Sequence, residues 1–327
     1  MGSEMCIRDR DRLDRCIAMI KKYQEKIISS LQEDFGNRDP VMSMATEVAS
    51  AIGPLEYAKK HVSKWIKPEK RKAEIAPLGP LLGLMGASAR IQYQPLGTIG
   101  CISPWNFPVN LVMAPLGGIL AAGNRAMIKP SEHTPSTSNI TKKMFEEFFN
   151  QEEIAVFTGD PEVGAAFSSL PFDHLIFTGG TAIAKHVMKA ASENLVPLTL
   201  ELGGKSPVVV GKNSDISSAA IRVMQGKTMN AGQICLAPDY ALVPKDKLDE
   251  FVKESVKAVS AMYPSLKDND DYTSIINEKH FERIKSYLDD AKDKGAELVE
   301  INPSDELSLI HISEPTRPLY ISYAVFC

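Results

Sequence analysis

The sequence predicts an α/β protein in which helices cover both faces of a parallel sheet. Through the middle of its 327 residues, short apolar runs alternate with segments of helix length. These runs are almost continuously apolar, which is typical of parallel strands that are buried on both sides. A second alternation of the same kind begins at Pro207 and predicts a further, incomplete α/β domain.

The N-terminal part is predicted to be helical. Apolar residues recur at helical spacing over 13–35, and Gly36 follows as a helix C-cap. A second helix is predicted over 48–65. A Gly- and Pro-rich segment lies at 77–87, and the alternating stretch 90–94 after it predicts an exposed strand or one arm of a hairpin.

The predicted parallel sheet starts at residue 97. Its strands are 97–102, 126–129, 154–157, 174–177 and 196–200, and the helices between them are 108–122, 135–149, 162–168 and 181–192. Thr134 is the expected N-cap of the second of these helices, and Pro135 its first residue. Because ligands bind at the carboxyl ends of the strands in such sheets, the residues that follow the strands form the candidate site.

The alternation that begins at Pro207 again predicts both strands and helices. Its strands are 207–210, 240–243 and 297–300, and its helices are 216–229, 245–262 and 281–294.

Composition argues against several classes of partner. A net charge of −4 provides no basic surface for nucleic acid or an anionic membrane. The longest apolar stretch, 111–122, is too short to span a membrane. Five widely spaced cysteines argue against a disulfide framework and for a reducing compartment, so we predict a cytoplasmic protein. The six histidines lack ligand spacing, so no metal site is predicted.

Both ends are predicted to be foreign to the fold. Residues 1–10 and 307–327 are similar to peptides translated from adaptor DNA, and the composition changes abruptly after Glu306. The alternative is a genuine C-terminal strand over 319–326.

Glu201 and Cys235 are the candidate reacting groups. Glu201 leaves a predicted buried strand in Glu-Leu-Gly-Gly-Lys, and Cys235 ends the loop sequence Gly-Gln-Ile-Cys. A carboxylate and a thiol are the groups that covalent thiol chemistry followed by hydrolysis requires. The alternative is a solvated strand-end carboxylate and an inert core thiol.

Asn106 is the candidate oxyanion donor. It lies between Pro104 and Pro108, whose fixed torsions stiffen the loop. An amide held in this way can stabilise a developing negative charge by roughly 3–4 kcal/mol. The alternative is a turn asparagine that caps the following helix. Phe107 and Asn110 are expected, by adjacency alone, to line the mouth of a substrate site.

Two further motifs indicate a nucleotide. Lys129 ends a predicted strand and Glu132 follows it. The two can present an ammonium and a carboxylate to ribose hydroxyls, although such a pair is more often solvated. Gly179 and Gly180 lie between a strand and a helix, where the backbone can approach a pyrophosphate. The motif is not GxGxxG, because Ala184 stands where a closing glycine would.

Five motifs follow one another along the chain: Pro-Trp-Asn, Lys-Pro-Ser-Glu, Phe-Thr-Gly, Glu-Leu-Gly-Gly-Lys and Gly-Gln-x-Cys. Their order resembles that in the aldehyde dehydrogenase superfamily, most closely in its class 3 branch. The resemblance covers 11–306. It implies a Rossmann-type cofactor-binding domain over 11–205, with an oligomerisation hairpin at 77–95, and a partial catalytic domain over 206–306. For a full-length parent it implies a homodimer.

The resemblance also implies a reaction, the NAD(P)-dependent oxidation of an aldehyde, aromatic such as coniferaldehyde or medium-chain, to the acid. The Cys235 thiolate would attack the aldehyde, the Asn106 amide would hold the oxyanion, and Glu201 would activate water to hydrolyse the thioester. The residues implied to hold NAD or NADP are Trp105, Lys129, Glu132, Gly179 and Gly180.

The sequence departs from the family pattern at three places. Gly180 stands where serine is common, and Ala184 where glycine is common, which leaves the choice between NAD and NADP open. The Glu-x-Phe-Gly-Pro segment and the final strand of the family are missing. A non-catalytic fragment that binds cofactor at best is therefore an alternative hypothesis. A cysteine acyltransferase or thioesterase is a third, which leaves the nucleotide motifs unexplained.

Overall fold

A computed structural model describes residues 2–71, 85–266, 269–301, 311–315 and 322–326. The helices are α1 (Gly2–Phe35), α2 (Pro40–Ser43), α3 (Ser50–Trp65), α4 (Asn110–Ala121), α5 (Pro135–Phe148), α6 (Pro161–Ser168), α7 (Thr181–Ser192), α8 (Ile216–Thr228), α9 (Leu248–Met262) and α10 (Glu278–Asp293). A π-helical segment covers Met44–Ala49, and short 3₁₀ turns cover Met229–Gly232 and Lys245–Lys247. The strands are β1 (Glu69–Arg71), β2 (Ala89–Ile91), β3 (Thr98–Ile102), β4 (Arg125–Lys129), β5 (Ile154–Val156), β6 (His174–Gly179), β7 (Leu198–Leu202), β8 (Ser206–Val209), β9 (Pro238–Val243), β10 (Ala296–Glu300), β11 (His311–Pro315) and β12 (Ser322–Phe326).

The parallel sheet predicted from the sequence is confirmed. Its order is β5-β4-β3-β6-β7, and every neighbouring pair is parallel. The chain runs outwards from β3 to β4 and β5 and then returns to the other side of β3 as β6. The carboxyl ends on the two sides of β3 therefore frame a crevice, which is the usual ligand position in a sheet of this kind.

α1 supplies much of the main core. Leu13, Ile20, Ile27 and Leu31 lie on its predicted apolar face and are fully buried against α3, α4 and α5. Each such side chain contributes about 1.5–3 kcal/mol when it is removed from water. The helix ends at Gly36, whose φ of 74° is the left-handed conformation expected for a C-cap glycine.

α4 is buried on almost every side because it lies between the sheet and α3. Val112, Leu116 and Leu120 are all buried. At Gly117 a Cβ would come within 3.3 Å of the Pro54 carbonyl oxygen, so glycine permits the close contact between α4 and α3.

The sequence predicted that Thr134 would cap the N-terminus of α5. In the structure the side chain that caps this helix belongs to Asp34. Thr134 holds the N-cap position before Pro135, but its side chain makes no capping bond, and among the described residues its buried hydroxyl has no partner. Asp34, at the end of α1, accepts from the backbone N–H groups of Ser136 and Thr137 at 2.9 and 2.8 Å. The carboxylate satisfies two N–H groups and places negative charge at the helix N-terminus, which a single hydroxyl cannot do.

We expect Asp34→Ala to lower the free energy of unfolding by about 1–2 kcal/mol, because two N–H groups of α5 lose their acceptor. Glu33→Ala is the matched control, since Glu33 is the neighbouring, exposed carboxylate. Denaturant unfolding of both variants measures the difference. Equal midpoints for the two variants would contradict the capping role.

The second sheet has the order β10-β11-β12-β9-β8. β8 and β9 are parallel, and the other pairs are antiparallel. α8 and α9 cover this sheet, with Met224 and Phe251 fully buried beside Ala241 and Val243. The division of the chain into domains at residue 206 stays a prediction.

The two ends are less separate from the fold than we predicted. Residues 2–10 continue α1, and Asp9 is fully buried. Near the other end, β12 pairs with β9, which corresponds to the alternative of a C-terminal strand. The foreign origin of the two ends stays a prediction.

β1 and β2 form an antiparallel pair that includes one arm of the predicted hairpin. Residues 77–84 of the predicted hairpin lie outside the described residues.

In the part of the chain that the structure describes, no helix is both long and apolar enough to cross a membrane. α1 is long but carries many charges, and α4 is apolar but has only 12 residues.

Candidate active site

An open cleft of about 1880 Å³ lies at the carboxyl ends of β3, β4, β6 and β7. Its other walls are the loop between α8 and β9 and one side of α10. The site residues predicted from the sequence all line this cleft: Cys235, Glu201, Asn106, Trp105, Lys129, Glu132, Gly179 and Gly180.

Cys235 lies on the loop between α8 and β9, and its side chain is exposed to the cleft. The loop begins with a left-handed turn, in which Asn230, Ala231 and Gly232 have φ of 50°, 52° and 74°. This conformation costs roughly 1–2 kcal/mol for a residue that carries a Cβ. Such strain persists only where surrounding bonds impose it, and it clusters at functional sites.

Two other cysteines with described side chains are poor candidates for a nucleophile. Cys16 and Cys101 are buried, and burial raises the pKa of each thiol to about 12. Such a thiol is not ionised near neutral pH, whereas the thiolate is the reactive form. Exposure therefore distinguishes Cys235, and the alternative that it is an inert core thiol is wrong.

Gln233 anchors the cysteine loop. Its side-chain amide donates to the Asn230 and Ser274 carbonyls, both at 3.0 Å, and its Oε1 accepts from the Ile276 backbone N–H at 3.0 Å. These bonds hold the chain two residues before Cys235. Gln233 is part of the Gly-Gln-x-Cys motif, but the sequence alone assigned it no role. Two of the residues that it bonds to lie 41 and 43 positions further along the chain.

Asn106 is held at both its side chain and its backbone. One N–H of the side-chain amide donates to the Gln233 carbonyl at 2.9 Å, and the Asn106 carbonyl accepts from Arg38 at 2.9 Å. Among the described residues the second N–H of this amide has no hydrogen-bond acceptor, so it can donate to a ligand in the cleft that Cys235 also lines. The capping alternative is not found, because the N-cap of α4 is Val109, with no side-chain cap.

Glu201 lies on β7, and its exposed side chain lines the cleft. At Gly204, just beyond this strand, a Cβ would come within 3.3 Å of the Cys235 carbonyl oxygen. Lys205 then donates to Asp239 of β9 at 2.8 Å. The stretch that carries the carboxylate is thus packed directly against the cysteine loop.

Lys129 ends β4 with its side chain only 3% exposed, so the lysine of the pair is not solvated, whereas the side chain of Glu132 is 35% exposed. Its Nζ donates to the Pro130 carbonyl at 2.9 Å and lies 3.6 Å from a carboxylate oxygen of Glu132. An ammonium has three N–H groups, and among the described residues only the Pro130 carbonyl lies within hydrogen-bonding distance of it. The pair can therefore offer a donor and an acceptor to neighbouring hydroxyls of a sugar.

Gly179 and Gly180 leave the N-terminus of α7 open to the cleft. A Cβ on Gly179 would lie 2.6 Å from the ring of buried Phe177, so only glycine fits there. Gly180 is the N-cap, and no atom lies within 4 Å of where its Cβ would be. The first N–H groups of α7 therefore lack a side-chain cap and form the kind of position that anionic groups occupy.

We expect Gly179→Ala to destabilise the protein by about 1–3 kcal/mol, because the buried Phe177 ring must move. Gly180→Ala is the matched control, since its added methyl group enters open space. Thermal unfolding of the two variants measures the difference. A Gly180→Ala variant that is equally destabilised would contradict this steric explanation.

The family model described as "Aldehyde dehydrogenase family" matches residues 3–316. The chain belongs to the aldehyde dehydrogenase family. It is 58% identical over 294 residues to a probable coniferyl aldehyde dehydrogenase of Caulobacter vibrioides, covering 90% of this chain and 60% of that protein. It is 53% identical to the coniferyl aldehyde dehydrogenase of a Pseudomonas species, with the same coverage.

Solved structures of aldehyde dehydrogenases share this fold. The substrate-bound state of Staphylococcus aureus AldH has a TM-score of 0.81 at 36% identity, covering 89% of this chain and 62% of that one. A Mycobacterium tuberculosis aldehyde dehydrogenase complexed with NAD⁺ has a TM-score of 0.77 at 26% identity, covering 90% of this chain and 60% of that one. The chain thus spans about 60% of the length of these relatives.

Trp105 of this aldehyde dehydrogenase chain packs against a histidine that the sequence did not indicate. The Trp105 and His280 ring centroids lie 4.9 Å apart, and His133 approaches His280 edge-on at 5.9 Å. Burial lowers the pKa of His280 to about 4, and the nearby charge of Arg283 acts in the same direction. The ring is therefore neutral at neutral pH and extends the aromatic wall of the cleft. A lone histidine on a polar helix carries no distinguishing sequence signal.

Phe107 and Asn110 are not among the residues that line the cleft, so the expectation that they line its mouth is wrong. The Phe107 ring is buried beneath the Arg38 guanidinium, 5.2 Å from its carbon. Leu111 lines the cleft instead. Adjacency to Asn106 failed as a guide for Phe107 because its ring packs into the interior beside Arg38.

Among the residues that the structure describes in this aldehyde dehydrogenase chain, no group of three or more His, Cys, Asp or Glu side chains could hold a metal ion.

Proposed function

We propose that this chain is the cofactor-binding and nucleophile-bearing part of an NAD(P)-dependent aldehyde dehydrogenase. The observation that carries the proposal is that one cleft holds an exposed thiol, a fixed amide, a carboxylate and a strand-to-helix junction of the nucleotide-binding type. The similarity to two coniferyl aldehyde dehydrogenases supports an aromatic aldehyde as the substrate.

In the proposed reaction, the Cys235 thiolate attacks the aldehyde carbon, and a carbon–sulfur bond forms. The carbonyl oxygen becomes an oxyanion, and the second N–H of the Asn106 amide donates to it. The adduct becomes a thioester once its carbon has lost a hydride, and Glu201 then takes a proton from water, whose oxygen attacks the thioester carbon. The carbon–sulfur bond breaks, which releases the carboxylic acid and returns Cys235 to the thiolate.

The residues on the other side of the cleft fit NAD or NADP. Lys129 and Glu132 would hold the hydroxyls of the adenosine ribose, and Gly179 and Gly180 would lie beside the phosphates at the N-terminus of α7, with Trp105 nearby. When bound, the nicotinamide supplies the oxidant, because it accepts the hydride from the substrate carbon.

Two further proposals concern the location and the assembly of the protein. The unpaired, buried Cys16 and Cys101 fit a reducing compartment and so support the cytoplasmic location. The resemblance to the class 3 branch supports a homodimer for the full-length protein.

The test is to mix the protein with coniferaldehyde and either NAD⁺ or NADP⁺, and to follow reduced nicotinamide and the acid together. Equal amounts of the two products support the proposal. Cofactor that binds in a calorimetric titration without any turnover would favour the non-catalytic fragment. Acyl transfer from an added thioester without nicotinamide would favour a cysteine acyltransferase or thioesterase.

A further inference from the structure

Arg38 and Glu47 form an ion pair that lies inside the protein, outside the cleft. Their side chains are 1% and 0% exposed, and Arg38 Nη2 lies 3.0 Å from a Glu47 carboxylate oxygen. Burial raises the pKa of Glu47 to about 7, against the opposing effects of Arg38 and of two backbone N–H groups. Buried ion pairs contribute little net stability, and apolar side chains of similar volume often replace them without loss. Stability alone therefore does not account for this pair.

The remaining hydrogen bonds of the pair go to one loop, 106–110, which carries the oxyanion donor. Arg38 Nη1 donates to the Asn106 carbonyl at 2.9 Å. Glu47 Oε2 accepts from the backbone N–H groups of Val109 and Asn110, at 3.1 and 2.8 Å. The Arg38 guanidinium carbon also lies 5.2 Å from the centre of the Phe107 ring, inside the same loop. The pair thus holds both ends of the loop.

Glu47 is carried by the π-helical segment Met44–Ala49, which interrupts the helical stretch between Pro40 and Trp65. A π-helical turn is rare, is less favourable than the α-helix and occurs often at functional sites. Here it accompanies a buried carboxylate that reaches the loop 106–110. The irregular helical segment and the buried ion pair therefore share Glu47, the residue that contacts 106–110.

We propose that the Arg38–Glu47 pair positions the Asn106 amide for oxyanion stabilisation, a role that rests on the proposed function. Arg38 does not touch the substrate and acts through the backbone of Asn106, while the Gln233 carbonyl holds the side-chain end of the same residue at 2.9 Å. With both ends held, the second N–H of the Asn106 amide keeps one direction. A misplacement of about 1 Å at a reacting centre can lower the rate about 10²-fold.

The test variant is Arg38→Met/Glu47→Gln, which removes both charges together. The Glu47→Gln change keeps a side-chain oxygen for the Val109 and Asn110 N–H groups, so the bond to the Asn106 carbonyl is the main loss. We expect kcat to fall about 10- to 100-fold. The KM for the aldehyde and the Kd for NAD⁺ are expected to stay unchanged, because Arg38 contacts neither molecule.

The matched control is Arg15→Met/Glu153→Gln. Arg15 also donates to a carboxylate (Glu153, 2.7 Å) and to a backbone carbonyl (Phe148, 2.9 Å), and it lies over a phenylalanine ring (Phe149, 4.4 Å). None of these residues lines the cleft. We expect this variant to keep its kcat even if its unfolding temperature falls. A similar loss of kcat in both variants would show a general effect of destabilisation and overturn the proposal.

The Asn106→Ala background separates positioning from other effects. If Arg38 acts through Asn106, adding Arg38→Met/Glu47→Gln to Asn106→Ala produces no further loss of kcat. A full additional loss would overturn the proposal, and so would an unchanged kcat in the Asn106-containing variant. If Arg38→Met/Glu47→Gln fails to fold, Arg38→Lys is measured in the same way. Lysine keeps the positive charge but lacks the planar guanidinium, which can donate to two partners at once. A wild-type protein that oxidises no aldehyde would instead refute the proposed function.

Discussion

We expect Cys235→Ala to lower kcat for aldehyde oxidation by on the order of 10⁴-fold or more, the scale seen when a covalent nucleophile is removed. Without the thiol no carbon–sulfur bond can form, so no thioester exists to be hydrolysed. Steady-state turnover of coniferaldehyde measures the loss. The Kd for NAD⁺ should stay unchanged in a calorimetric titration, because the predicted cofactor residues lie on β3, β4, the β6–α7 junction and the loops beside them.

Leu236→Ala is the control for this variant. Leu236 follows Cys235 directly, is 79% exposed and is not among the residues that line the cleft. A loss of activity in both variants would indicate a collapse of the strained loop. Retained turnover in Cys235→Ala would exclude Cys235 as the nucleophile.

The sheet and the position of the cleft could be predicted from the sequence for a physical reason. Strands buried on both faces need nearly continuous apolar runs, and the carboxyl ends of parallel strands share one edge. Residues that end or follow separate strands, such as Asn106, Lys129 and Gly179, must therefore lie near one another. The fold confirms this, with strand ends displaced by at most two residues from those predicted.

The groups that hold the site could not be predicted, because they act through backbone atoms that every residue possesses. Arg38 donates to the carbonyl of Asn106, 68 positions away, and Gln233 bonds to backbone groups alone. Asp34 caps a helix 102 positions away. No pattern of residue types marks such contacts. The left-handed backbone of Ala231 could not be predicted either, since alanine does not favour that conformation.

We expect Glu201→Gln to separate the two halves of the reaction. In the proposed reaction, acylation of Cys235 and reduction of the cofactor precede water activation, so one equivalent of reduced nicotinamide per site should still form rapidly. Steady-state kcat should then fall about 10²- to 10⁴-fold, because glutamine cannot take the proton from water. Rapid mixing with coniferaldehyde and NAD⁺ measures both phases. Glu193→Gln is the control, since Glu193 is exposed and does not line the cleft.

Hydroxylamine tests whether thioester hydrolysis is the step that Glu201→Gln loses. It attacks a thioester without help from a general base, so when it is added to the acylated Glu201→Gln protein after the burst, it should release the hydroxamate instead of the acid. Release of this kind places the lost step at thioester hydrolysis. A variant without the initial burst and without this release has lost acylation itself. Glu201 would then act before the thioester forms, by helping to generate the Cys235 thiolate, and the activation of water would fall to another group in the cleft.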